Sequence, residues 1–170
     1  MSEYATDSLG PALLTLMAEK DIRKVTADEL AAKAGVGRAT YFRNFSSKEG
    51  LLTSYLVRRW RAYEKAGRLK ELPLAHPVRA RRYFEFCLSM RAENDLMIEQ
   101  GCAGAILAAF ETIVSDADFG GTGGYETAFL AYGLYGMFVT WARCGWKESP
   151  EEMAALVSGR IFGGARKPVA

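Results

Sequence analysis

Histidine and cysteine, on which metal sites and many nucleophilic active sites depend, are scarce in this chain of 170 residues. The one histidine, His76, precedes a proline in a predicted loop, and no nucleophile or base accompanies it. The three cysteines, Cys87, Cys102 and Cys144, lie far apart and have no CxxC spacing. We therefore expect no catalytic residues, no metal site and no cofactor, and we interpret the cysteines as buried free thiols in a reducing compartment.

Proline is also scarce, with five residues, and this favours long structured segments. The N-terminus lacks the basic-then-apolar pattern of a signal peptide, so a cytoplasmic protein is expected. The most apolar stretch, residues 127–142, is shorter than the roughly 20 residues that cross a bilayer. We interpret it as a helix held between its own core and a partner subunit rather than in a membrane, with membrane association as the alternative.

Charge is distributed unevenly, although the formal net charge is only +2. Residues 22–61 hold nine Lys or Arg against three Asp or Glu, which gives 9 − 3 = +6. Residues 62–170 hold twelve basic and thirteen acidic residues, which gives 12 − 13 = −1. A basic segment joined to a near-neutral remainder suits a protein that contacts phosphate groups.

Two short helices separated by a glycine-containing turn are predicted inside the basic segment. Thr26 and Glu29 form a capping box that opens the first helix, and Gly35 is a typical left-handed residue at its end. After a turn of three residues, the second helix is predicted from Arg38 to about Asn44. This order of elements is that of a helix-turn-helix, which enters the major groove of duplex DNA.

Supporting helices are predicted on both sides of this motif. Apolar spacing indicates an amphipathic helix over residues 9–17, and Ser46-Ser47-Lys48-Glu49 is interpreted as a second capping box opening a helix that reaches Trp60. The pattern loosens over residues 66–77, which we take as a junction. Further helices are predicted at about 77–92, in parts of 95–115, at about 125–146 and at 150–162, the last with Ser149, Pro150 and Glu152 as its start signal.

The sequence therefore predicts an all-α protein. Residues 1–65 are expected to form a helix-turn-helix module of three helices, and residues 66–170 a helical domain for effector binding and dimerisation. The glycine-rich run at residues 120–124 lacks the Lys-Ser/Thr of a phosphate-binding loop and follows no strand, so it is interpreted as a flexible loop between helices.

Residues 34–52 read AGVGRATYFRNFSSKEGLL, and this stretch resembles the signature of the tetracycline-repressor-like (TetR) family. The similarity extends over residues 9–60, and a looser similarity covers residues 132–136, Trp141 and residues 149–152. The resemblance implies a homodimeric transcription regulator, usually a repressor, that binds a palindromic operator. It also implies a small-molecule effector that binds the C-terminal domain and weakens DNA binding.

The resemblance implies DNA-contacting roles for Thr26, Arg38, Ala39, Thr40, Phe42, Arg43, Asn44 and Lys48. Arg38 matches a base-reading position and suits guanine, while Ala39 and Arg43 share its groove-facing side. The positions of Thr40, Asn44 and Lys48 match phosphate contacts, and Thr26 is expected to meet a phosphate at a helix N-terminus. Tyr41 and Phe45 are expected to pack inward.

Three residues depart from the family pattern. Gly37 replaces the commoner serine cap, Phe42 replaces a tyrosine whose hydroxyl reaches phosphate, and Asp28 brings a negative charge near the DNA. These departures leave an alternative function open, in which the protein keeps the fold and regulates through a protein partner with weak or lost DNA binding.

The C-terminal domain is rich in aromatic residues and methionines that suit an apolar or aromatic ligand. The residues expected to line a ligand pocket are Tyr83, Phe86, Met90, Met97, Phe110, Phe129 and Tyr132. The alternative for each of them is an ordinary position in the hydrophobic core.

Overall fold

A computed structural model describes residues 2–72, 76–116 and 123–158 of the chain. Within these ranges the secondary structure is helical and no strand is present, so the all-α prediction is confirmed. The helices are α1 (Glu3–Glu19), α2 (Ala27–Ala34), α3 (Arg38–Asn44), α4 (Lys48–Ala66), α5 (Pro77–Ser89), α6 (Arg91–Glu99), α7 (Ala103–Ser115), α8 (Gly123–Arg143) and α9 (Pro150–Val157), with 3₁₀ turns at Ile22–Lys24 and Leu69–Glu71.

Helix α2 begins and ends as the sequence predicts. The Thr26 Oγ accepts a hydrogen bond from the Glu29 N–H at 3.2 Å, and the Glu29 carboxylate accepts one from the Thr26 N–H at 2.9 Å. Gly35 ends the helix with φ 66°, a conformation that costs a residue with a Cβ more than it costs glycine. These two local signals fix the length of the first helix of the motif.

The start of α4 differs from its prediction in one detail. Ser47, not Ser46, is the N-cap, and its Oγ accepts a hydrogen bond from the Gly50 N–H at 2.9 Å. The residue three positions after this cap is therefore glycine, which has no side chain to reach back, so the predicted capping box with Glu49 is wrong.

Helices α1 and α4 pack closely and support α2 and α3. The ring of Tyr55 on α4 lies against the α1 backbone at Gly10, where an added Cβ would overlap the ring. Leu9, Leu13 and Leu52 are fully buried in the same region. The helix-turn-helix is thus mounted on a rigid pair of longer helices.

The C-terminal helices largely follow the predicted pattern. The helix predicted at 77–92 ends at Ser89, and α6 begins after Met90. The Ser149 capping box and Pro150 at the first turn of α9 are confirmed, whereas the predicted end of that helix at residue 162 lies outside the described residues. Of the glycine-rich run, residues 123 and 124 open α8, and residues 120–122 lie outside the described part.

One apolar cluster contains core residues from Ala5 to Val157, so the helix-turn-helix and the C-terminal helices share a continuous core. Helix α4 contributes to this core and ends at Ala66. The division of the chain between residues 65 and 66 stays a prediction. Cys87 and Cys102 are buried as expected, but the expectation is wrong for Cys144, which comes directly after α8 and is exposed. Among the described helices, none is long and apolar enough to cross a membrane.

Candidate nucleic-acid interface

Helix α3 has one buried and one exposed face, as a recognition helix requires. Tyr41 and Phe45 pack into the core, which confirms their predicted direction. Arg38, Phe42 and Arg43 are exposed on the opposite side, together with Ala39. A short helix with two arginines and two apolar side chains facing outward has suitable groups for base edges and thymine methyls.

Arg38 is held by two neighbours at the start of α3. Its Nη1 lies 3.3 Å from the Asp28 carboxylate, and its guanidinium carbon lies 5.2 Å from the centre of the Phe42 ring. Both side chains of the ion pair are largely exposed, so the pair is worth at most about 1 kcal/mol. Asp28 and Phe42, two departures from the family pattern, therefore both act on the orientation of Arg38.

Asn44 connects the end of α3 to the start of α1. Its Nδ2 donates to the Thr40 carbonyl at 2.8 Å, and its Oδ1 accepts a hydrogen bond from the Ser2 N–H at 2.9 Å. An amide nitrogen has two hydrogens, so one Asn44 N–H is left for a phosphate oxygen. The predicted phosphate contact of Asn44 stays a prediction, and the geometry adds a structural role.

Lys48 also has a structural role that the sequence did not indicate. Its ammonium group donates to the Ile22 carbonyl and, at 3.0 Å, to the Val25 carbonyl. It thereby ties the chain that leads into α2 to the first turn of α4. An ammonium group has three hydrogens, so the predicted phosphate contact of Lys48 remains available as a prediction.

The N-terminus of α2 presents Thr26 on the surface, where a phosphate contact was expected. The Thr26 hydroxyl also donates to the Glu29 carboxylate at 2.9 Å. The Lys20 ammonium, together with the Thr26 N–H and hydroxyl, lowers the pKa of Glu29 to about 2. Glu29 is therefore charged at neutral pH. Its negative charge lies beside the free N–H groups at the N-terminus of α2, where a phosphate contact was expected.

Gln100 is a connecting residue that sequence reasoning missed. It follows α6, and its Oε1 accepts a hydrogen bond from the Ile22 N–H at 2.7 Å. Its Nε2 donates to the carbonyls of Met17 and, at 3.2 Å, Lys20. A single glutamine in a helical pattern has no motif, and its partners lie about 80 residues away in the chain. No sequence signal points to this contact.

The predicted pocket residues do not all come together. Tyr83 and Phe110 line a cavity of about 60 Å³ between α4, α5, α7, α8 and α9. Phe86, Met90 and Met97 are buried in the core outside its wall. The positions expected for Phe129 and Tyr132 are corrected, because these side chains are 68% and 56% exposed on the outer face of α8.

Two residues of the cavity wall, Trp60 and Arg79, were not predicted from the sequence. Arg79 forms an ion pair with Glu64 at 2.9 Å. Burial raises the pKa of the Tyr83 phenol well above its usual value and that of the neighbouring Cys87 thiol to about 12. Both groups are therefore neutral at physiological pH.

Comparison with known proteins identifies the N-terminal region. Residues 12–55 match the family model described as "Bacterial regulatory proteins, tetR family". A segment of 45 residues is 44% identical to the "Uncharacterized HTH-type transcriptional regulator YvkB" of Bacillus subtilis (strain 168), and it covers 26% of this chain and 24% of that relative. The chain thus matches about a quarter of the relative's length. The similarity to bacterial regulatory proteins of the tetR family thus covers residues 12–55, which contain α2 and α3.

Proposed function

We propose that the protein is a sequence-specific transcription regulator, acting as a repressor, that binds duplex DNA through α3. The observation that carries this proposal is the exposed face of α3, with Arg38, Ala39, Phe42 and Arg43 held on a rigid helix-turn-helix. The tetR family match of the same residues supports it. The proposal includes a small-molecule effector that binds among the C-terminal helices and changes the DNA affinity.

In the proposed complex, α3 lies in the major groove. Arg38 and Arg43 read base edges, and Ala39 and Phe42 make apolar contacts with thymine methyl groups. Thr26, Thr40, Asn44 and Lys48 lie on the flanking side and contact phosphates, which fixes the register without reading sequence.

The proposal also includes a homodimer formed through α8. Tyr125, Phe129 and Tyr132 recur at helical spacing along this helix, and their side chains are exposed, Tyr125 to 88%. An exposed stripe of large aromatic residues is costly in water and suits a second copy of the same face. Two copies related by a two-fold axis require a palindromic operator.

The dimer is tested by Phe129→Asp, with Val78→Asp as the matched control on α5, where Val78 is also exposed. We expect Phe129→Asp to halve the mass measured by light scattering, because a charge cannot be buried unpaired in an apolar interface. Val78→Asp is expected to leave the mass unchanged. A monomeric wild type, or a Phe129→Asp variant that stays dimeric, contradicts this interface.

DNA recognition is tested by selecting bound duplexes from a random pool and titrating the winners at two salt concentrations. We expect an enriched palindrome whose affinity falls steeply as salt rises, because phosphate contacts release counterions. Arg43→Ala should lose about 1–3 kcal/mol of base discrimination. Lys48→Ala should weaken binding to all sequences alike, and its unfolding is measured in parallel because Lys48 also holds Ile22 and Val25.

The second candidate function is regulation through a protein partner, with weak or lost DNA binding. The Arg38–Asp28 ion pair favours it, because Asp28 partly neutralises the arginine best placed to read a base. A folded protein that enriches no sequence and binds duplexes weakly at both salt concentrations would support this alternative.

A further inference from the structure

The cavity among the C-terminal helices has an almost entirely apolar wall. Trp60, Phe84, Phe110 and Leu134 are among the residues that line it. Its volume is about 60 Å³. An engineered apolar cavity of about 150 Å³ binds benzene. The cavity is smaller than that one and therefore suits a molecule with one small apolar group.

Two polar groups stand out in this apolar wall. The Tyr83 hydroxyl is buried beside the Cys87 thiol, a weak acceptor, and makes no hydrogen bond to an oxygen or nitrogen atom among the described residues. Arg79 lies in the same wall, and each of its terminal nitrogens uses one hydrogen bond, to the Glu64 carboxylate at 2.9 Å and to the Leu72 carbonyl at 3.1 Å. A guanidinium group has five N–H donors, so Arg79 keeps free donors for a further acceptor.

These groups select a ligand by charge. A neutral phenol and an arginine both donate hydrogen bonds, and an anionic carboxylate accepts from both at once. We propose that the cavity binds a small monocarboxylic acid, with its apolar group among the aromatic side chains and its carboxylate on Tyr83 and Arg79. This ligand class deepens the proposed function, and only the effect of the ligand on DNA binding rests on that function.

The carboxylate has a direct competitor in the protein. Glu64, on α4, is 4% exposed and is paired with Arg79 on α5, so this pair joins α4 to the helix that follows the junction. A bound acid draws Arg79 away from Glu64 and loosens the tie between α4 and α5. Because the first turn of α4 holds the chain before α2 through Lys48, a shift of α4 reaches the DNA-binding helices.

The ligand class is tested by calorimetry on the full chain without DNA, using benzoate, phenylacetate and 3-methylbutanoate. Benzamide and toluene serve as uncharged counterparts of benzoate. We expect at least one acid to bind, and benzoate to bind at least tenfold more tightly than benzamide. The proposal is overturned if no acid binds, or if benzoate and toluene bind equally well.

Variants then identify the two polar groups. Tyr83→Phe should weaken benzoate binding about tenfold and leave toluene binding unchanged, because only the hydroxyl is removed. Glu64→Gln should tighten benzoate binding, because the competing charge is lost, and a purely structural role of Glu64 does not produce that sign. Arg82→Met is the matched control, since Arg82 lies on α5 but pairs with Glu85 instead of lining the cavity. Equal effects of Tyr83→Phe and Arg82→Met on benzoate affinity would overturn the assignment of Tyr83 as a ligand contact.

The regulatory step is tested separately, by titrating a selected duplex with and without saturating benzoate. A lower DNA affinity with benzoate, abolished by Tyr83→Phe, supports the step. If benzoate binds but the DNA affinity does not change, the regulatory step is wrong and the proposed binding site stands. Absence of duplex binding by the ligand-free chain contradicts the proposed function, while the calorimetry still decides the ligand class.

Discussion

Gln100 joins the C-terminal helices to the DNA-binding helices, and replacing it with alanine tests that connection. The side chain makes three hydrogen bonds, one from the Ile22 N–H and two to the carbonyls of Met17 and Lys20. These partners lie where α1 ends and the chain turns toward α2. Gln100→Ala removes all three bonds.

The expected loss follows from the number of bonds and their burial. A hydrogen bond within a protein contributes about 0.5–1.5 kcal/mol net, and more is lost when a buried partner is left unsatisfied. The Gln100 contacts are half-buried, so water replaces some of them. We expect the free energy of unfolding to fall by about 2–4 kcal/mol. For a chain of this size that lowers Tm by roughly 4–15 °C.

Urea unfolding of Gln100→Ala and of the control Glu99→Ala measures this loss. Glu99 is exposed at the end of the same helix, so its replacement should change stability by less than about 0.5 kcal/mol. Gln100→Glu keeps an acceptor for the Ile22 N–H but removes both donors, and at neutral pH it should destabilise at least as much as alanine. A loss below about 0.5 kcal/mol for Gln100→Ala would refute the reasoning.

Three further predictions concern the N-terminal module. Gly10→Ala should destabilise the fold by about 1–3 kcal/mol in thermal unfolding, because the added Cβ overlaps the Tyr55 ring. The control Gly104→Ala on α7 should be neutral or stabilising, because the space around its added Cβ is open. The pKa of Glu29 is lowered from 4.5 to about 2, so the contribution of its charge to stability is present above about pH 4.5 and is lost as the pH falls toward 2. Glu29→Gln should therefore have a lower free energy of unfolding than wild type at pH 7 and the same one below pH 2. Asp28→Asn should raise affinity for all duplexes and reduce discrimination at the base read by Arg38, and unchanged selection profiles would contradict the orienting role of Asp28.

The helix-turn-helix was predictable because its signals are local. The Thr26 capping box, the left-handed Gly35 and the inward packing of Tyr41 and Phe45 each depend on residues within a few positions of one another. The capping box predicted from Ser46 and Glu49 was wrong, because the N-cap is the next residue, Ser47, whose third following residue is Gly50. Either serine can cap a helix, and the local sequence does not decide between them.

The parts that sequence could not predict depend on contacts between distant residues. The bonds of Gln100 to Ile22 and of Arg79 to Glu64 join segments that no local pattern relates. The exposure of Phe129 and Tyr132 was missed for a similar reason, since a helix that is apolar on every side does not indicate which face meets its own core. Of the residues predicted to line a ligand pocket, Tyr83 and Phe110 lie in the cavity wall, and their role in ligand binding stays a prediction.

The position of Trp60 gives the protein an intrinsic optical reporter. Its indole lies in the cavity wall, with ring centres 5.5 Å from Tyr83 and 5.3 Å from Phe86. The two other tryptophans, Trp141 and Trp146, are buried with ring centres 4.8 Å apart, outside the cavity wall. Replacing that pair with phenylalanine isolates the Trp60 emission, so that occupancy of the cavity is read from the fluorescence spectrum of an unlabelled protein, in the same cuvette in which DNA is added.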